Sequence, residues 1–549
     1  MRQNDLLITS WGISSIKLEL GHTFPWFLST LFKTVRHFPE LDKISPNLNL
    51  RWFILRRIAA DKFYWDIKDQ RLTMPFLMDT TNLPYLPQGI RSLSPSWPSR
   101  VLKILTELGS GRVNSGHHLS LAIANLRDAL NLSSKSVAPT AFDGYARFFD
   151  QVMSRDQSSK WFQEVLPALG NLLLRFPSLL ETHFRNSDMD VHGDGTVVTT
   201  ALRLLDSQQP GIVFLSQELI AALLGCSFFC LFPVSERRTT HLQKINFDRL
   251  FAKTRNGYTQ EQDNKIWSIL HYFQRICSDM PKGMVSFERK VLPFKNDSIH
   301  ISYPDANFWS TSVTPLCNFE VHYSGGIEDQ SSEAVEVDFA DPYYGGLVLG
   351  MGCLQEEIRF LISPELIAGM LFLPAMADNE AIEIVGVERF SSYTGYSSSF
   401  QFSGDYVDER DVDTLGRRKT TIVAIDALER PGMSQYMADS ILRHVIHAGI
   451  LWKGNNIGVA TGNWGCGVFG GDPEIKTIIQ WLAASQARRP FLLYYTFGLG
   501  ALKSLHEVVH RISTQTWTVG NLWKMLIKYS TMRSKGETNV GFFQWLQER

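Results

Sequence analysis

The sequence predicts an α/β domain carried behind an all-helical region. Three observations lead there. Between about residues 100 and 275, apolar residues recur at three- and four-residue spacing, the period of a helix face. From about residue 283 the texture changes to short runs of alternating apolar and polar residues. Over roughly residues 285–530 such runs alternate with helical ones, the pattern of an α/β layer structure. A chain of 549 residues is also too long for one core, so at least two domains are expected.

Residues 1–75 are aromatic-rich, show no motif and read as an unassigned N-terminal extension. The segment NLPYLPQGIRSLSPSWPSR, 82–100, is rich in Pro and Ser and reads as a lead-in. The helical region is placed at 76–282. In WFQEVLPALGNLLLRFPSLL, Phe162, Val165, Leu166, Leu169, Leu172, Leu173 and Phe176 form one face. GIVFLSQELIAALLGCSFFCLF reads as a buried helix with Ser216 as a plausible N-cap, and Gln217 and Glu218 argue against a membrane span. NKIWSILHYFQRICSDM is a third such helix. The α/β domain is placed at 283–549. GMVSFERKVL, EAVEVDFA, EAIEIVGV, TTIVAIDAL and PFLLYYTFG read as strands, and CLQEEIRFLIS, EIKTIIQWLAASQ and HEVVHRIS as helices. In EAVEVDFA, Val335, Val337 and Phe339 fall on one face, and Glu336 and Asp338 on the other.

Composition narrows the function. A net charge of -1 and a pI near 6.9 argue against a non-specific nucleic-acid binder, which needs a cationic face to displace counterions. The six cysteines form no CxxC pair and no cluster with zinc spacing; Cys226 and Cys230 read as core residues, and so few thiols suit a reducing compartment. The N-terminus lacks the compact apolar core of a signal peptide. Arg417, Arg418 and Lys419 read as a solvated surface run.

The chemistry concentrates in GGLVLGMGCLQEE, 345–357, where four glycines within eight positions follow a strand and precede a helix. Helix N-termini offer free N–H groups to anions, and glycines let a ligand approach the backbone. The spacing matches neither a Walker A loop nor a dinucleotide fingerprint, so a structural turn and a ligand loop are both open on this segment alone. A second loop, TGNWGCGVFGGD, 461–472, also leads into a helix. Two such loops suit a pyrophosphate between two larger groups, and Tyr396, Phe469 and Phe497 nearby suit base stacking. Glu356 and Glu357 are neighbours, so on a helix they point about 100° apart and do not flank one bond as an opposed pair.

In order along the chain, VDFA, GGLVLGMGCLQEE, IRFLISPELI, YTGY, IVAIDAL, TGNWGCGVFGGD and YYTFG resemble segments of the poly(ADP-ribose) glycohydrolase family. LSQELIAALLGCSFFCLFP, INFDRLF and GMVSFERK resemble its helical accessory region, and the resemblance spans roughly residues 80–530. It implies a macrodomain-like α/β/α sandwich with a mixed sheet, preceded by the helical domain. The implied activity is hydrolysis of the ribose–ribose O-glycosidic bonds of poly(ADP-ribose), releasing ADP-ribose, in turnover of the polymer after DNA damage. By the resemblance, Glu357 is the general acid that then activates water, and Glu356 and Asp338 hold ribose hydroxyls. Gln355, Gly345, Gly346 and Asp341 line the same site. Ile327 and Glu328 match adenine-edge contacts, and Tyr396 and Phe497 match aromatics that hold the adenine. Asn463, Trp464, Gly465, Cys466, Gly467, Val468 and Phe469 match the second ligand loop. Neither a metal nor a cofactor is implied. The implied partners are poly(ADP-ribose) and poly(ADP-ribosyl)ated proteins, without sequence-specific nucleic-acid or membrane binding, for a monomer in nucleus and cytoplasm.

Two positions depart from the family pattern. Leu347 stands where the family has its third loop glycine; if that position requires positive φ, the side chain costs about 1–2 kcal/mol. Asp341 stands where the family usually has Asn, and an ionised carboxylate only accepts hydrogen bonds. These two residues motivate an alternative expectation, a catalytically weakened protein that binds ADP-ribose or its polymer.

Overall fold

A computed structural model describes residue 86 and residues 95–187, 189–191, 197–234, 241–292, 305–330, 333–450 and 457–549. The N-terminal extension and most of the lead-in at 82–100 lie outside the described residues.

The helical region contains α1 (Ser99–Gly109), α2 (Gly116–Ala129), α3 (Leu166–Asn186), α4 (Gln217–Phe228) and α5 (Gln260–Ser278). Each buries the face its period defines; on α5, for example, Ile266, Ile269, Leu270 and Phe273 are buried. Cys226 and Cys230 are buried in this core, as expected. One stretch differs from expectation. Gly211–Ser216 is a strand, β1, and only the second half of that apolar run is helix, α4. Ile212, Val213 and Phe214 are strand formers, and the Ser216 side chain accepts from the Leu219 N–H, so the helix starts at that cap.

The main sheet has eight strands. After β1 come β2 (Met284–Val291), β3 (Asn318–His322), β4 (Ala334–Ala340), β5 (Glu380–Val385), β6 (Thr421–Asp426), β7 (Gly458–Gly462) and β8 (Phe491–Tyr495), in the spatial order β1-β2-β5-β6-β4-β7-β8-β3. The β1–β2, β2–β5 and β5–β6 pairs are antiparallel, whereas β6–β4, β4–β7, β7–β8 and β8–β3 are parallel. The sheet is therefore mixed. Its helices include α6 (Gln355–Ile362), α7 (Ala438–Ile450), α8 (Pro473–Gln486), α9 (Leu505–Thr514) and α10 (Val519–Ser534).

Alternation along the strands divides the core. Ile382, Ile384, Ile422 and Ala424 join the apolar cluster of the helical region and α6, while Ala381, Val423, Ile425, Val335 and Val337 join the cluster beneath α8, α9 and α10. Sheet and helical region thus share one core, and β1 is an edge strand supplied from within the helical region. The Arg417–Arg418 pair is not the solvated run expected from sequence. Arg417 is held by Asp413 at 2.8 Å and Arg418 by Glu388 at 3.3 Å, because their loop folds back over β2.

The antiparallel side is pinned by a fully buried ion pair between Arg289 of β2 and Glu380 at the start of β5; Arg289 also donates to the Leu205 carbonyl at 2.9 Å. Breaking one partner of a buried pair costs about 3–5 kcal/mol because the other charge is stranded. Arg289→Met is expected to lower stability in urea unfolding by about that amount, and Arg289→Met/Glu380→Leu to recover most of it. Equal stability of the single variant and the parent contradicts this.

Candidate active site

Five strands run parallel, so β3, β4, β6, β7 and β8 deliver their carboxyl ends to one edge of the sheet, where α/β proteins bind ligands. The turn Ile327–Asp329 follows β3, the first glycine loop follows β4, the second follows β7, and Phe497 follows β8. The topology therefore gathers residues that lie up to 170 positions apart in sequence.

The first loop returns onto the helix that follows it. Arg359 on α6 pairs with Glu336 on β4 at 3.0 Å, and this buried bond fixes the helix start above the strand end. Gln355 accepts from the Phe339 N–H at 2.9 Å and donates to the Val337 carbonyl at 3.2 Å, closing the same junction. The Glu356 carboxylate accepts the N–H groups of Asp341 at 2.9 Å and Gly345 at 2.7 Å. The Glu357 carboxylate accepts those of Leu347 at 2.9 Å and Leu354 at 2.8 Å. Adjacent side chains that diverge on a bare helix are thereby drawn to one place. A Cβ at Gly346 would lie 2.6 Å from Glu357 Oε1 and 2.7 Å from Glu356 Oε2.

Asp338, on β4, completes a cluster of three carboxyls. It is 1% exposed, and neither of its oxygens has a partner among the described residues. Burial first, then the neighbouring Glu357, pushes it up to about 8, opposed by Arg359. Burial and then Asp338 and Glu357 also raise Glu356, although its two amide donors favour the ionised form. A proton on Glu356 would compete with those N–H groups, so the bare oxygens of Asp338 are its better position. The cluster carries fewer than three negative charges at neutral pH.

Leu347 is free of the strain that its sequence position suggested. Positive φ falls on Gly345 (+89°) and Gly346 (+50°), and Leu347 is not among the positive-φ residues. Its side chain is 59% exposed, and its contribution to the cluster is its backbone N–H. Asp341 uses its carboxylate locally, accepting from the Tyr343 N–H at 2.8 Å, a turn that Asn makes equally well. Burial and then Tyr343, which opposes it, set its carboxyl above the ordinary range.

The second loop is built on α8. Asp472 caps that helix, accepting from the N–H groups of Glu474 and Ile475. Asn463 donates to the Thr496 carbonyl at 3.0 Å and accepts from the Tyr494 hydroxyl at 3.3 Å, tying this loop to the turn after β8. Trp464 is fully buried, with Nε1 on the Ile425 carbonyl at 3.1 Å, so only its backbone is available to a ligand. Beneath it lies Lys476, 4.0 Å from the indole centroid and 2.9 Å from His444 Nε2; burial lowers its pKa to about 7. Gly465 (φ +72°) turns the chain, and Cys466 is packed with its thiol on the Trp464 carbonyl, burial raising it to about 12. The N–H groups of Gly467, Val468 and Phe469 have no acceptor among the described residues. Three such amides in series suit an anion.

The remaining aromatic and acidic positions surround these loops. Phe497 is half-exposed with φ +50°, a conformation costing about 1–2 kcal/mol in a non-glycine residue, and it rests against Tyr495. Tyr396 is half-exposed, its phenol raised by burial and by nearby Glu357; the turn that carries it bonds Ser397 N–H to the Cys353 carbonyl at 3.0 Å. Ile327 is buried in the core, which leaves its backbone for contact, while Glu328 accepts from the Tyr393 hydroxyl at 2.5 Å. Tyr393, Arg359, Lys476, Gln243 and Lys265 were not singled out from sequence. Only Arg359 carried a signal, three residues after Glu356 on the same helix.

The Asp338 shift gives a signed pH dependence. Its folded value of about 8 exceeds the ordinary 3.8, so the native state binds the extra proton and stability falls as pH rises between those values. Asp338→Asn removes that term. Its thermal midpoint relative to the parent is expected to rise steadily with pH up to about 8 and then level off. A difference that does not vary with pH contradicts the assignment.

Comparison with known proteins gives the family and the fold. Residues 306–504 match the family model for poly(ADP-ribose) glycohydrolase, macro domain fold, and residues 153–289 match its helical domain. The chain is 50% identical over 510 residues to probable poly(ADP-ribose) glycohydrolase 2 of Arabidopsis thaliana, covering 84% of this chain and 97% of that protein. It is 49% identical over 539 residues to poly(ADP-ribose) glycohydrolase 1 of the same plant, covering 84% and 96%. Poly(ADP-ribose) glycohydrolase 1 of Caenorhabditis elegans is 34% identical over 280 residues, covering 48% of this chain and 35% of that one. The chain therefore belongs to the poly(ADP-ribose) glycohydrolase family.

Proposed function

We propose that this protein hydrolyses the ribose–ribose O-glycosidic bonds of poly(ADP-ribose) and releases ADP-ribose. The observation that carries this reading is the buried cluster of Asp338, Glu356 and Glu357 closed over Gly346 at the strand-end edge of the sheet. Glu357 takes up the proton that the cluster holds on Asp338 and passes it to the departing ribose oxygen as the bond to the anomeric carbon breaks. The water that attacks the oxocarbenium-like centre then gives a proton to Glu357, which restores the cluster's proton. Glu356 and Asp338 hold ribose hydroxyls, and the low charge of the cluster limits repulsion of an anionic substrate.

The open amides of Gly467, Val468 and Phe469 take the diphosphate. Phe497 and Tyr396 flank the adenine, and Glu328, oriented by Tyr393, reads its edge. The negative backbone geometry and exposure of Leu347 favour a working enzyme over a weakened binder. The substrate class supports action on poly(ADP-ribosyl)ated proteins after DNA damage, in nucleus and cytoplasm.

The test is release of free ADP-ribose from purified polymer. Glu357→Gln is expected to lose about 10²–10⁴-fold in rate, the usual contribution of a general acid. Leu347→Gly is expected to stay within about twofold of the parent, as for a surface substitution without strain. No release by the parent, or release that survives Glu357→Gln, overturns the reading.

A further inference from the structure

We infer that Lys265, on α5 of the helical region, is a positioning residue for the general acid, acting through the backbone of the first glycine loop. The inference rests on the role proposed for Glu357. The Lys265 side chain is buried, with the residue 1% exposed, and its ammonium donates to the carbonyls of Gly350, at 2.9 Å, and Gly352. Desolvation of a buried ammonium is expensive, so the carbonyls are strong, charge-assisted acceptors that fix where the loop runs.

Those two carbonyls belong to the turn that holds Glu357. The N–H groups of Gly350 and Gly352 both return to the Leu347 carbonyl, at 2.9 and 3.1 Å. The Leu347 N–H donates to one oxygen of Glu357, and the Leu354 N–H to the other. There is no slack between the parts: a Cβ on Gly352 would lie 2.4 Å from Glu357 Oε1. A displacement of the 350–352 backbone must therefore move the carboxylate or break its amide bonds. Gln243, also from the helical region, bonds the Gly346 carbonyl at 2.8 Å and supports the other end of the same loop.

The chain of contacts runs from ammonium to carbonyl, through the turn, to amide and carboxylate. On this reading the helical region is part of the catalytic apparatus, because the loop's outer carbonyls have their cation there. The charge also reaches Glu357 directly, since each lies in the other's electrostatic field.

The experiment uses full-length parent, Lys265→Met and Lys265→Gln. Rates of ADP-ribose release, amide hydrogen exchange and the thermal midpoint are measured on the same samples. Lys265→Met is expected to lower kcat about 10- to 100-fold with KM within about threefold, the signature of a misplaced acid. Exchange at residues 347–354 is expected to accelerate while β4 and β7 stay protected. Lys265→Gln, which keeps a donor, is expected to recover part of kcat. Parent kcat and parent exchange in Lys265→Met overturn the inference. So does a loss of protection spread evenly over the sheet with a lowered midpoint, which marks a merely structural role. If the parent releases no ADP-ribose, the proposed function fails, and the exchange measurement still decides whether Lys265 holds the loop.

Discussion

The site depends on one interaction: two neighbouring glutamate carboxylates at a helix start, each accepting two backbone N–H groups from the loop that leads into that helix. Burying a carboxylate costs several kcal/mol. Hydrogen bonds to a charged group return about 1.5–3 kcal/mol each, so two per carboxylate recover part of that cost without a cation in the cleft. The cleft is thus left open for a substrate that is itself anionic. The loop must fold tightly to present these amides, which accounts for positive φ at Gly345 and Gly346 and for the absence of room above Gly346.

Everything else fixes the two ends of that arrangement. Arg359 and Glu336 lock the helix to the central strand, with Gln355 closing the junction. The parallel half of the sheet brings the second loop and Phe497 to the same edge, and Asn463 ties the two together. The helical region shares a core with the sheet, supplies its edge strand, and reaches the first loop through Lys265 and Gln243. A family match that covers both regions agrees with that shared construction.

Much of this was legible in the sequence because it is local. Strand, glycine loop and helix are contiguous from Val337 to Ile362, and alternation alone placed Asp338 on the face opposite Val335 and Val337. The grouping of Asp338 with Glu356 and Glu357 came from the family resemblance, and β2, β4, β5, β6 and β8 from apolar patterning, whereas β3, β7, α7 and α10 were not read from the sequence. What was missed is non-local or backbone-determined. Gly211–Ser216 is continuous in hydrophobicity with the helix after it, and only pairing with β2 marks it as strand. Lys265 reads as a helix-surface charge until tertiary contact buries it. Leu347 looked like a lesion because residue type was taken as a proxy for φ. The demand for left-handed backbone lies at Gly345 and Gly346, and there the sequence conforms.

The requirement for glycine at 346 comes from the two carboxylates closing on its backbone. Gly346→Ala tests it most directly, through the rate of ADP-ribose release from poly(ADP-ribose). A methyl group there meets both glutamates, so a loss of about 10²-fold or more is expected from displacing the acid. A Gly346→Ala protein as active as the parent contradicts the account.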